Sequence, residues 1–129
     1  VRRAVAGDIV ACVELAERCA NTDMSSEIKT HAETAWVVTA RPHDVVIGYC
    51  AALDMSGHSV FDSVLEAQAL LGAAAPDLVR PMVCVNLAAN QKLARWMFEN
   101  GWRVVKTLLL MSNRALAQPE RGVVVLPRC

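Results

Sequence analysis

Residues 83–102 read VCVNLAANQKLARWMFENGW, and this stretch decides the predicted fold. The apolar run within Pro81–Asn86 is typical of a strand covered on both faces. A helix is expected over Ala88–Asn100, because its apolar side chains recur three or four positions apart. Gly101 follows where a glycine often ends a helix. The stretch therefore predicts a strand and a helix, after which the chain returns as a strand over Trp102–Met111.

Local patterns predict the elements on either side of this stretch. A helix should begin at Ile9, with the Asp8 carboxylate capping its first turn. Ser63 and Glu66 have capping-box spacing, which predicts a helix that reaches about Ala74. The other predicted elements are strands at Val1–Val5, Trp36–Thr39, Val45–Leu53, Ser59–Phe61 and Gly122–Leu126, and one or two helical turns after Ser25 or Ser26. This order predicts one α/β domain over residues 1–129, with a mixed sheet and helices on both faces.

The composition excludes several classes of protein. Hydrophobic residues make up 54% of the 129-residue chain and charged residues 20%, which excludes a disordered chain. Thirteen basic residues balance thirteen acidic ones, so no global field favours nucleic acid as a partner. No apolar run approaches the roughly 20 residues that span a bilayer. We therefore expect a cytoplasmic protein that binds neither nucleic acid nor membrane.

The cysteines predict neither disulfides nor a metal site. There are five, at Cys12, Cys19, Cys50, Cys84 and Cys129, with no CxxC pair and no histidine at ligand spacing. Three of them, Cys12, Cys50 and Cys84, lie in apolar stretches, where cysteine behaves as a small hydrophobic residue. We expect these three in the core.

Residues 83–102 resemble the C-terminal motif of the GNAT superfamily of acyl-CoA-dependent N-acyltransferases. In that motif an Asn follows a strand, a helix comes next, and a Gly-aromatic pair begins another strand, as Asn90 and Gly101-Trp102 do here. Val46–Tyr49 is similar to the strand that precedes the cofactor strand in many members. Residues 58–71 look closer to a divergent subgroup without the glycine-rich pyrophosphate loop, whose domain often follows an ordinary GNAT domain in one chain.

The resemblance implies a fold, a cosubstrate and a site. Acetyl-CoA would donate its acetyl group to the amine of a small molecule or peptide, which attacks the thioester directly. The pantetheine arm would bind backbone groups where Gly57–Phe61 and Pro81–Asn86 splay apart, and the pyrophosphate would rest on the amides of residues 62–65. The implied residues are His58 as the catalytic base and Val60, Phe61, Ser63 and Asn90 as the cofactor-binding set.

Two departures from the family pattern leave a second hypothesis open. Asp62 stands where active members carry the loop glycines, and Met97 stands where many supply a tyrosine general acid. A domain that has lost the chemistry would serve as a binding or protein-interaction module, as a homodimer or as part of a longer chain. An unrelated α/β fold is a remoter third hypothesis.

Several single residues also have two interpretations. Asn90 either binds pantetheine or satisfies backbone groups at the helix start. Asp62 is an alternative base or a helix cap, and Asp54 is a second alternative base. Tyr49, the only tyrosine, is expected to be a packed strand aromatic. The sequence leaves the acceptor and the oligomeric state open.

Overall fold

The computed structural model describes residues 1–20, 23–52, 57–77, 90–104 and 123–125. They form an α/β domain, as predicted. In chain order the elements are β1 Arg2–Arg3, α1 Ile9–Ala20, α2 Ser25–Thr30, β2 Trp36–Ala40, β3 Val45–Cys50, β4 Ser59–Phe61, α3 Val64–Ala74, α4 Gln91–Glu99 and β5 Val123–Val125. Short 3-10 turns precede α1 at Ala6–Asp8 and follow α3 at Ala75–Asp77.

The sheet has five strands in the order β1-β2-β3-β4-β5, and every neighbouring pair is antiparallel. The predicted mixed sheet has no parallel pair among the described strands, and the strand predicted at Pro81–Asn86 lies outside the described residues. So does most of Trp102–Met111. The hairpin connection predicted at residues 41–44 is confirmed, with Asp44 in the left-handed region at φ 55°. β3 ends at Cys50 rather than at the predicted Leu53, because the chain turns there and brings Gly57 against Ala52.

Strand side chains alternate between two cores, one on each face of the sheet. Val37, Tyr49 and Val60 face a cluster built with α1 and α2. Their neighbours Val38, Cys50 and Phe61 face a second cluster built with α3 and α4. Because successive side chains of a strand point to opposite faces, this division places helices on both sides of the sheet.

The ends of α3 and α4 confirm two predicted caps. Ser63 is the N-cap of α3, and its hydroxyl accepts a hydrogen bond from the Leu65 N–H. At the other helix Gly101 has φ 85°, while the Trp102 N–H donates to the Met97 carbonyl at 3.0 Å. This is the hydrogen bond of a Schellman motif, which requires a residue in the left-handed region.

The cap predicted for α1 is wrong. The Asp8 carboxylate accepts hydrogen bonds from the Val5 N–H at 2.8 Å and from the Arg2 guanidinium at 2.7 and 2.9 Å. The Arg2 guanidinium also lies 3.1 Å from the Asp44 carboxylate, and this second ion pair joins β1 to the β2–β3 hairpin. Asp8 lies in the 3-10 turn, and its carboxylate binds Arg2 and Val5 rather than the first amides of α1, because the guanidinium supplies two parallel charge-assisted hydrogen bonds.

Candidate functional site

Four of the predicted site residues lie on or beside β4. His58 immediately precedes the strand, Val60 and Phe61 belong to it, and Ser63 caps the helix that follows. Alternation turns Val60 toward α1 and α2 and Phe61 toward α3 and α4. The side chains of His58, Val60 and Phe61 are all buried, with at most 2% exposed. Asn90 directly precedes α4. This helix packs on one face of the sheet, and the Val60 side chain points to the other face.

The backbone of β4 is hydrogen-bonded to strands on both edges. The Ala51 N–H donates to the His58 carbonyl at 2.8 Å, and the Asp62 N–H donates to the Ile47 carbonyl at 2.9 Å. Since bonded pairs alternate in an antiparallel ladder, the polar groups of Val60 also face β3. Those of Ser59 and Phe61 face β5, which pairs with them at Val125 and Val123.

A row of three polar side chains lies within the first core. Tyr49 on β3 hydrogen-bonds through its hydroxyl to Nε2 of His58, and the two rings meet edge to face with centroids 5.2 Å apart. On the other side of the imidazole, Nδ1 lies 3.5 Å from Oε1 of Glu27 on α2. We call Glu27, His58 and Tyr49 the polar triad. The sequence prediction missed Glu27, because it lies 31 positions before His58.

Burial fixes the protonation of one triad member. The pKa of Tyr49 is raised chiefly by its desolvation, and nearby Cys12 and Glu27 raise it further. The phenol therefore keeps its proton and can donate to Nε2. A singly protonated imidazole would then accept from Tyr49 at Nε2 and carry its hydrogen on Nδ1, and the 3.5 Å contact between Nδ1 and Glu27 Oε1 is not a hydrogen bond.

This geometry bears on the predicted role of His58 as a base. A general base must come within about 3 Å of the proton that it removes, directly or through one water. The His58 side chain is only 1% exposed, and the described neighbours of its ring nitrogens are protein groups. In this conformation an external amine has no access to the ring.

Ser63 and its neighbours form the predicted pyrophosphate position. The Ser63 hydroxyl already accepts from the Leu65 N–H at 3.2 Å and hydrogen-bonds the Glu66 carboxylate. Asp62, considered as a cap for α3, does not have that role, because the helix begins one residue later. Its carboxylate instead pairs with Arg18 at 2.9 Å and accepts a weak bond from the Cys19 thiol. Two carboxylates thus flank this helix start.

The α4 residues divide between the core and the surface. Asn90 is 5% exposed and directly precedes α4, and its side chain makes no capping hydrogen bond to the helix. Met97 packs in the second core beside Leu93, whereas Phe98 is half exposed. A shallow depression on the outer face of α4, lined by Ala94, Arg95 and Phe98 among others, contains none of the predicted site residues.

No family model, curated protein or solved structure matches this chain. The site therefore has to be interpreted from its own geometry.

Other side chains behave as core or structural groups. Cys12 and Cys50 are buried, as predicted, and desolvation raises the pKa of Cys12 to about 12. Cys84, Cys129 and the alternative base Asp54 lie outside the described residues. Within the ranges that the structure describes, no three His, Cys, Asp or Glu side chains are grouped so as to hold a metal ion. Among those same residues no helix is long and apolar enough to cross a membrane.

Proposed function

We propose that this chain is a GNAT-like domain that has lost acyl transfer and acts as a binding or protein-interaction module. The pairing of β4 with β5 carries the proposal. The resemblance requires a free β4 edge on which the pantetheine arm can bond as a further strand. In this fold the outward-facing groups of Ser59 and Phe61 are opposite Val125 and Val123 instead.

The residues around this edge support the same conclusion. His58 is enclosed by the protein, and the hydroxyl of Ser63 is engaged with Leu65 and Glu66. The Glu66 carboxylate in the first turn of α3 disfavours an anion at the start of this helix, and the Asp62 carboxylate beside it is already engaged by Arg18. Met97, in the position of the tyrosine general acid, cannot donate a proton.

The GNAT-like part of the proposal rests on the order of the elements and on the quoted motifs. The order β1, α1, α2, β2, β3, β4, α3 agrees with the order implied by the resemblance. Val46–Tyr49 lies on β3, directly beside β4, as the similar strand does in the family. The Asn90-to-Gly101 segment forms a helix that ends in a glycine cap.

Titration with acetyl-CoA tests the proposal. We expect no calorimetric heat and no change in Tm at millimolar acetyl-CoA. A ligand at a hundred times its Kd stabilises by about 2.7 kcal/mol, which raises Tm by about 10 °C for a domain of this size. ADP at the same concentration is the control for nonspecific nucleotide binding. A rise with acetyl-CoA that ADP does not reproduce would contradict the loss of cofactor binding.

Acyl-CoA-dependent N-acyl transfer is the second candidate, and the buried position of Asn90 directly before α4, where the resemblance places the pantetheine-binding Asn, favours it. A matched pair of variants on one helix examines it. Asn100 follows the last turn of α4 and is exposed, and its side-chain amide donates to the Trp96 carbonyl at 2.8 Å. If acetyl-CoA binds, abolition by Asn90→Ala but not by Asn100→Ala would support acyl transfer. Loss through both variants would indicate a general effect on α4.

Sedimentation velocity addresses the identity of the partner. A concentration-dependent shift from the 14.0 kDa monomer toward twice that mass would identify a second copy of the chain. A constant monomer mass would leave a different polypeptide as the partner.

A further inference from the structure

Helix α4 has an outer face that differs from its core face. Leu93 and Met97 pack in the second core. On the other side Phe98 is 51% exposed and borders the shallow depression on this helix. One exposed aromatic is ordinary on a protein surface, but here it adjoins a concave site on the same helix. We call the residues that line this site the outer stripe: Gln91, Ala94, Arg95, Phe98 and Glu99.

The outer stripe has an apolar edge and a charged edge. Ala94 and Phe98 lie four positions apart on one edge, and Arg95 and Glu99 lie four positions apart on the other. Within the part of the chain that the structure describes, neither Arg95 nor Glu99 takes part in an ion pair. A basic residue four positions before an acidic one is the weaker arrangement within a helix. Both charges are therefore available to a partner.

We propose that the outer stripe is the contact surface between two copies of this chain, whose α4 helices pack antiparallel. A two-fold axis perpendicular to both helices brings each edge of the stripe against the same edge of the second copy. If the axis crosses near positions 96 and 97, Phe98 lies against Ala94 of the second copy. The same axis places Arg95 beside Glu99 of the second copy. The short Ala94 side chain leaves room for the ring.

The charges favour a second copy over an unrelated partner. A uniformly acidic or basic partner would meet a like charge at Glu99 or at Arg95, whereas a second copy pairs both. Thirteen basic residues balance thirteen acidic ones, so two copies approach without net repulsion. The inference rests on the proposed function, because it names the partner of the interaction module.

The length of α4 limits the affinity. Nine helical residues span about 14 Å, so contact through α4 alone buries less than the roughly 1,200 Å² at which standard interfaces begin. We therefore expect a weak, reversible dimer with a Kd on the order of 100 μM. Sedimentation equilibrium from about 10 μM to about 1 mM should show a mass that rises from 14.0 kDa toward twice that value. A constant 14.0 kDa over this range would overturn the proposal.

Charge reversal tests which residues face each other. Arg95→Glu gives the stripe two carboxylates and Glu99→Arg gives it two guanidinium groups, so each variant alone should dimerise at least tenfold more weakly. An equimolar mixture of the two variants should recover a Kd within about threefold of the wild-type value, because every facing pair is again of opposite charge. The wild-type Kd in either single variant, or a mixture that stays monomeric, would refute the antiparallel contact.

Two further variants separate the stripe from general effects. Phe98→Ala removes the apolar contact and should also weaken the dimer at least tenfold. Lys29→Glu makes the same change in charge as Arg95→Glu, but on α2, which packs on the opposite face of the sheet. It should leave the Kd within about twofold, since exposed charges that far apart are screened. Equal weakening by Lys29→Glu would contradict a contact through α4.

Titration of the same samples with acetyl-CoA distinguishes this inference from the proposed function. A dimer that meets the charge-reversal test while the chain binds acetyl-CoA would support the interface and contradict the loss of cofactor binding. A monomeric wild type that binds no acetyl-CoA would overturn the interface and leave the loss of cofactor binding standing.

Discussion

The substitution Gly48→Ala should destabilise the domain even though alanine is the better strand residue. A Cβ at position 48 would lie 2.5 Å from Cδ1 of Phe61 and 3.4 Å from Cβ of Glu66. Carbon atoms in contact prefer about 3.5–4.0 Å, so the ring must move by about 1 Å. Phe61 is 2% exposed and packed between the sheet and α3, which leaves it little room to move.

The magnitude follows from two opposing contributions. Replacing glycine within a strand gains about 0.5–1 kcal/mol in chain entropy, whereas overpacking a core costs about 1–3 kcal/mol. A clash of this size with a buried ring belongs in the upper part of that range. We therefore expect Gly48→Ala to lower the free energy of unfolding by about 1–2 kcal/mol.

Gly72 provides a matched control on α3. A Cβ there would have no atom within 4 Å, and the residue is exposed in the middle of a helix. Gly72→Ala should therefore stabilise by about 0.5–1 kcal/mol. Urea denaturation measures both variants as shifts in midpoint at constant slope. A Gly48→Ala chain as stable as the wild type would refute the close packing of Phe61 on β3.

Three further variants or conditions test other contacts. Ser63→Ala should cost about 1 kcal/mol in thermal unfolding by removing the cap of α3, and Ser63→Thr should restore most of it. The Arg2 guanidinium lowers the pKa of Asp8 in the folded chain. The contribution of this ion pair to the free energy of unfolding is therefore complete above about pH 4, the pKa of Asp in the unfolded chain. It is lost as the pH falls through the lower pKa that Asp8 has in the folded chain. Asp8→Asn should flatten that acid limb of the stability curve, and an unchanged limb would contradict the Arg2–Asp8 bond. Because its thiol is buried and protonated, Cys12 should react with iodoacetamide at least 100-fold more slowly in the native chain than in urea; equal rates would exclude the core position.

Local signals predicted the elements that depend on local interactions. The predicted start of α1 at Ile9 and the predicted extent of β4 were right, because a few neighbouring residues are enough to show the spacing of the apolar side chains. The capping box placed the start of α3 correctly at Ser63. The error at Asp8 has the opposite origin. Its strongest partner, Arg2, and the second carboxylate on that guanidinium, Asp44, meet only after the strands pair.

The candidate site was less accessible to sequence reasoning. Tyr49 was predicted as a packed strand aromatic, and its burial is confirmed, but the partner of its hydroxyl depends on the register that aligns it with Val60. His58 was chosen for its place at the start of β4, which is where it lies. Its enclosure by Glu27 required the packing of α2, a helix from a segment without clear periodicity. The pairing of β4 with β5 joins residues more than 60 positions apart.

The position of β4 in the sheet restricts what any partner of this domain can contact. A three-residue strand with Val60 in one core, Phe61 in the other and strands along both edges has neither side chains nor backbone groups left for a ligand. Asp62, the residue that follows the strand, is ion-paired with Arg18. Among the described residues, the outer faces of the helices are therefore the surfaces that remain for recognition.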